Sequence, residues 1–321
     1  MSSLRHSRDS GTKIQGEAKT HMQHRAAGHP DTLSSVCVWA TAIAGIIRVV
    51  PNPTLDGVKL KFKRANYHLL QLCAAINAFY ASRQEDDSLT VEPDLKRKRL
   101  KFVATGVGAT DPEWALMTGD VVHNLRSALD HLVCQLAILQ GNTVSSCKKN
   151  RLAFPACIDP VAFKRDARRI KNLIHPEAFA LIEELQPYSA AHSLGGSPTA
   201  SNLWILSELD IIDKHRIVLA VAAHHKLREV VFSTKNGLLQ TTPASGQWQP
   251  LVYGTEIAVI DNSVLDSYEE TKIRVEMPGE IKVLFKDTGC CDGLPVEAIL
   301  NSLGKYVSAI IDEFEVNFFG K

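Results

Sequence analysis

Residues 119–138, GDVVHNLRSALDHLVCQLAI, decide how the rest of the chain is read. At about 100° per residue, Val121, Leu125, Leu129, Leu132 and Leu136 fall on one stripe, so the stretch predicts a helix packed against a core. The remaining surface is not an ordinary solvated face of Lys and Glu. Asp120, Asn124, Ser127 and His131 form one polar strip, with His123, Arg126 and Asp130 beside it. Short hydrogen-bonding groups and imidazoles are the side chains that a cleft can satisfy. The helix therefore predicts a site as well as a core.

A second run, NLWILSELDIIDKHRIVLA (202–220), answers the first. Leu203, Leu206, Leu209 and Ile212 recur at three-residue intervals and place it against the same core. Asp210 and Lys214 stand i,i+4, and Asp213 and Arg216 stand i,i+3, so ion pairing alone accounts for much of the DKHR cluster. His215 belongs to neither pair and is a candidate partner for the first helix.

Outward from these runs, residues 60–82 predict a helix with Leu69, Leu72, Ile76 and Phe79 inward; its His68 can face either a site or solvent. Residues 89–108 have strand character, with Lys96 to Lys101 at a hairpin turn and on a strand edge, where charge discourages pairing with other chains. LAFPA (152–156) reads as a short strand, and 160–186 as helical with a second basic patch from Lys164 to Lys171. Beyond His225 the period changes to two, with Pro278-Gly279 marking a turn. A final helix presents Ile299, Leu303, Val307, Ile311 and Phe314 to the core.

The fold class is α+β: a helical bundle core, an antiparallel β module near the C-terminal third, and a closing C-terminal helix. Residues 1–30 read as a disordered leader and 31–55 as an apolar segment. The mainly helical core with short strands follows over 58–222, the β module over 226–288, and the returning helix over 293–318. The apolar run SVCVWATAIAGII (35–47) is short for a membrane span and reads as a buried or partner-covered helix; no membrane insertion is expected. Net charge is +1, so no global basic field argues for nucleic acid. Seven cysteines, an odd number without a CxxC pair, argue against a disulfide framework and a zinc–thiolate site, and a reducing cytoplasm is the expected compartment. The sequence contains no glycine-rich phosphate loop, GxSxG or HExxH.

Together, GDVVHNLRSALDHLV (119–133) and LSELDIIDKHRIVL (206–219), with AFP between them, resemble a broad group of bacterial proteins over roughly residues 60–315. A more distant resemblance is to HEPN proteins, helical domains that often act as ribonucleases. Their hallmark is an Arg followed four to six residues later by His on a helix, and Arg126 with His131 matches that spacing. Ser127 stands where those nucleases commonly carry Asn, Asp or His, and the β segment is foreign to a minimal helical domain. The resemblance implies a homodimer, because those proteins pair helices between subunits to converge the two side chains. Arg126 would hold the scissile phosphate, and His131 would move a proton as the RNA 2′-hydroxyl attacks, without a metal.

Two further readings stand beside this one. In the first, the chain is a hydrolase of a small substrate, with one divalent transition metal held by His123, His131, Asp213 and His215. Asp120 or Glu208 would then act on a metal-bound water, with Arg126 and Asp130 in the same cluster. His123 and His131 lie about 80° and roughly 12 Å apart on one helix, so His131 with His215 makes the better ligand pair. In the second, nothing is catalysed. Arg126–Asp130 is a structural i,i+4 pair, Asn124 and Ser127 satisfy neighbouring groups, His131 closes a buried network to Asp213 or His215, and the protein is a scaffold or binding partner.

Overall fold

The computed structural model describes residues 52–82, 89–94, 96–97, 99–105, 110–189, 196–215, 220–227, 229–234, 237–243, 249–250, 252–261, 274–276 and 279–320. The leader expected over 1–30 and the apolar run at 35–47 lie outside them, as does Arg216, the expected partner of Asp213.

Helix α1 runs from Asp56 to Ala81 and α2 from Pro112 to Leu139. The start of α2 lies seven residues before the beginning expected from hydrophobic period. Asp111 accepts from the Glu113 N–H at 2.9 Å, and Pro112 follows at the first helical position, where it needs no donor. Trp114, Ala115 and Thr118 are buried in the added turns. The expected inner stripe, Val121, Leu125, Leu129, Leu132 and Leu136, is almost wholly removed from solvent. Helix α2 packs along α1 and also meets α7 (Asn202–His215) and the closing helix α8 (Val296–Phe314). Leu69, Leu72 and Ile76 of α1, and Leu203, Leu206, Leu209 and Ile212 of α7, belong to the same core. Helix α8 adds Leu300, Leu303, Val307, Ile311 and Phe314, then continues as a π-helical turn over Glu315–Phe319.

Between α2 and α7 come α3 (Val144–Asn150), α4 (Pro160–Asp166), α5 (Arg168–Lys171) and α6 (Pro176–Glu184). Asp159 caps α4 by accepting from the N–H groups of Val161 and Ala162, each at 2.8 Å. LAFPA does not form a strand. The backbone N–H and C=O of Phe154 are both taken by side chains of α2, so neither is left for a sheet.

All described strand pairings are antiparallel. The hairpin β1 (Leu89–Asp94) and β2 (Arg99–Ala104) is joined by β7 (Glu256–Asp261), in the order β1–β2–β7. Strand β2 is therefore central, not the edge anticipated from its charge, and Lys101 pairs with Glu256 across the ladder at 3.1 Å. A second sheet has the order β6–β3–β9, with β3 at Ala220–Leu227, β6 at Gln249–Pro250 and β9 at Gly279–Lys286. In the third, β4 (Glu229–Thr234) lies between β5 (Gly237–Pro243) and β8 (Arg274–Glu276). Strand β3 begins five residues before His225, where the period had been read to change. Tyr80 Oη accepts from the Val283 N–H at 2.9 Å and ties the end of α1 to β9.

Leu129 lies at the centre of α2 with no exposed surface. Leu129→Ala is expected to lower unfolding free energy by about 2–5 kcal/mol, from lost transfer and the cavity left behind. Urea denaturation monitored by circular dichroism measures it.

Candidate functional site

The polar residues of α2 do not converge on one point. They divide into two groups with different partners.

The C-terminal group is structural. Arg126 Nη2 donates to the Phe154 carbonyl, while Asp130 Oδ1 accepts from the Phe154 N–H at 2.9 Å. Arg126 and Asp130 also pair with each other at 3.1 Å, one helical turn apart. The pair thus clamps both backbone groups of Phe154, whose ring is fully buried in the core. The Arg126 side chain is only 10% exposed, and Nη1 is buried without a hydrogen-bond partner among the described residues. His131 is exposed and takes no part in this clamp. It lies against the start of α1, where a Cβ on Gly57 would come 3.6 Å from the His131 Nδ1. Arg126 is thus occupied in the interior, and its spacing from His131 is that of two residues with separate surroundings.

The N-terminal group faces α1 and α7. Here the two informative runs meet: His123 Nδ1 lies 3.3 Å from Asp210 Oδ1. Asp210 is buried and also accepts from Lys214 Nζ at 2.6 Å, the i,i+4 pair expected from sequence. The His123 side chain is 42% exposed, so the pair sits at the rim of the core with its imidazole open to solvent. Asp213 packs against Gly119, where a Cβ would collide with the carboxylate. A glycine inside a helix costs about 1 kcal/mol relative to alanine; here it admits the α7 carboxylate. On the α1 side, His68 Nε2 lies 3.9 Å from Asp120 Oδ2, and Lys61 Nζ donates to Asn124 Oδ1 at 3.4 Å. Asn124 in turn donates to the Asp120 carbonyl at 2.8 Å.

Burial pushes the Asp213 carboxyl above the usual carboxylate range. The neighbouring Asp210 pushes the same way and His123 opposes both. Asp120 adds a smaller push upward. A protonatable carboxyl therefore stands beside an imidazole that is oriented by a second carboxylate.

The other predicted residues fall elsewhere. His215 is exposed at the end of α7, and Glu208, half-buried on the same helix, lies within electrostatic reach of Cys290. Among the described residues, no group of three or more His, Cys, Asp or Glu side chains is arranged to hold a metal ion. The set His123, His131, Asp213 and His215 is not assembled as a ligand sphere, because His131 is turned to the start of α1. Lys61 had no place in the predicted site, and Asp210 fell within the second polar run without a role of its own. Only the Asp210–Lys214 spacing was visible, and it reads as an ordinary helix pair.

No family model matches the chain, and neither the curated proteins nor the solved structures contain a match. No described helix is long and apolar enough to cross a membrane.

Two predictions come from this geometry. Asp130→Ala removes the acceptor of the Phe154 N–H and leaves the Arg126 charge unpaired, and should destabilise the fold by roughly 2–4 kcal/mol. Chemical denaturation measures that loss. The second concerns Asp213. A carboxyl whose pKa is higher folded than unfolded holds its proton more tightly in the folded chain. Stability from this group therefore rises as pH falls through the folded value and is complete below the unfolded one, near pH 4. At neutral pH its ionised form works against folding. Asp213→Asn should raise the melting temperature at pH 7 relative to the parent and flatten the rise on acidification, as thermal scans across that range measure.

Proposed function

We propose that the face formed by Lys61 and His68 of α1, Asp120, His123 and Asn124 of α2, and Asp210, Asp213 and Lys214 of α7 is a general acid–base site that hydrolyses a small substrate. The observation that carries this reading is the 3.3 Å contact between His123 Nδ1 and the buried Asp210 carboxylate, with the imidazole half-exposed. In this reading Asp210, held by Lys214, fixes the tautomer and orientation of the ring. His123 Nε2 then takes a proton from water as it attacks the substrate. Asp213, whose carboxyl keeps its proton above the ordinary range, returns one to the leaving group. Lys61 supplies a positive charge at the α1 rim for a substrate oxyanion.

The reading needs no metal, although the notable imidazole and carboxylates are donors that a divalent transition ion also accepts. The HEPN-like ribonuclease alternative asks Arg126 and His131 to share one phosphate. It is less well supported because Arg126 is engaged with Phe154 and Asp130. A non-catalytic role has its own support: the His123–Asp210, His68–Asp120 and Lys61–Asn124 contacts each bridge two helices and would serve packing alone. We place the protein in the cytoplasm, with its six described cysteines free, and propose that it acts as a homodimer.

The test is turnover of a panel of small esters, amides and phosphoesters, with RNA in parallel, by protein purified without added metal. Hydrolysis of a small substrate should persist in chelator, fall about 100-fold or more in His123→Gln, and remain unchanged in His131→Gln. Loss on chelation with recovery on adding one ion would establish the metal alternative. Cleavage of RNA alone, abolished by Arg126→Ala or His131→Ala in folded protein, would establish the nuclease. A folded protein inactive on every substrate, with His123→Gln changing only stability, would favour the packing role.

A further inference from the structure

Away from this face, the turn between β9 and α8 carries adjacent cysteines. Cys290 Sγ and Cys291 Sγ lie 3.8 Å apart. Cys290 is half-buried and Cys291 is buried. The turn is held in shape from within. The Asp292 carboxylate accepts from the Thr288 N–H and hydroxyl, each at 2.7 Å, and from the Gly289 N–H at 3.0 Å. Asp287, Gly289 and Gly293 adopt positive φ of 59°, 72° and 75°. The Thr288 hydroxyl also lies 3.5 Å from Cys291 Sγ. The two sulfurs are thus presented side by side by a braced loop, one on a partly buried residue and one on a buried residue.

Two outcomes are available to neighbouring thiols, and distance separates them. A disulfide needs its sulfurs about 2.05 Å apart and its Cα atoms about 4.4–6.8 Å apart, whereas residues adjacent across a trans peptide have Cα atoms about 3.8 Å apart. Closing this bond would strain the braced turn. A bridging ion with sulfur bonds of about 2.3 Å instead spans two thiolates roughly 3.3–3.8 Å apart, from pyramidal to tetrahedral angles, close to the separation already present.

We propose that Cys290 and Cys291 form a two-sulfur chelating site for a soft, thiophilic ion, of the class that includes trivalent arsenic. Hydrogen bonding with Cys291 lowers the Cys290 thiol below its ordinary pKa, against the opposing effects of burial and Glu208, so Cys290 is the sulfur that bonds first. The hydrogen bond to Cys290 and burial both raise the Cys291 thiol, and it follows as its proton leaves. With an organic arsenic(III) oxide, two As–S bonds form, the As=O bond is lost, and its oxygen departs as water with the two thiol protons. Arsenic stays trivalent, so no oxidant or reductant is consumed. The site is independent of the acid–base reading of His123.

Phenylarsine oxide on the full chain is the probe, read by intact-mass and peptide mass spectrometry in excess monothiol. One adduct per chain is expected on the peptide holding residues 290 and 291, released by a small dithiol. Cys290→Ser and Cys291→Ser should each weaken its retention by about 100-fold or more, because one-point attachment is easily displaced. Should Cys291→Ser disturb the core, Cys290→Ser alone decides, with its folding checked by a melt. The internal control is Cys134→Ser, near Cys147 but with its own thiol pushed up to about 12 chiefly by burial; it should leave the adduct intact. An adduct retained in folded Cys290→Ser, an adduct mapped to Cys134 and Cys147, or no adduct on folded protein would each overturn the proposal.

Discussion

Most of α2 is enclosed by α1, α7 and α8, so each polar group it carries must meet a partner or reach the rim. That requirement orders the structure around it. At its C-terminal half the solution is a clamp: Arg126 and Asp130 take the carbonyl and amide of Phe154 and pin a segment whose ring lies in the core. At its N-terminal half the solution is contact with other helices. Gly119 makes room for the Asp213 carboxylate, and one turn on, His123 reaches Asp210. Cutting Asp130 leaves the Arg126 charge in a place with little water, and cutting His123 leaves the buried Asp210 with Lys214 alone, so both arrangements are expected to resist substitution more strongly than surface pairs do.

The two halves differ in what they leave accessible. The clamp consumes its own chemistry: its guanidinium and carboxylate face backbone atoms inside the protein. The α1–α2–α7 face keeps an imidazole at the surface with a carboxylate behind it and a second, harder-to-ionise carboxyl beside it. Proton transfer needs that combination of fixed orientation and exposure. This contrast is the reason for favouring His123 over Arg126 as the chemically active residue of the helix.

Much of the architecture was legible from periodicity. The inner stripes of α1, α2 and α7 and the closing helix are where apolar spacing puts them, because burial of a continuous apolar face dominates helix placement. Element starts were less legible where local capping decided them, as at Asp111-Pro112. LAFPA was misread because strand-like composition cannot reveal that its backbone partners are side chains 24 and 28 residues earlier. At the site, sequence located both polar runs but grouped His131 with His123. The helix turns them to different neighbours, and only packing against α7 singles out Asp210. Gly119 opened the helix expected from periodicity, and only the earlier start at Pro112 makes it an expensive interior glycine that marks a close approach.

The account rests on the two polar runs acting as one unit through His123 and Asp210. The most direct measurement is their coupling energy from urea unfolding of His123→Ala, Asp210→Ala and the double variant. Residues in contact couple by about 0.5–3 kcal/mol, whereas separate sites add to within about 0.3–0.5 kcal/mol. The account predicts a double variant less destabilised than the sum of the single ones by an amount in the first range. Simple additivity would mean that the runs do not meet there, and the site built on them would fall with that contact.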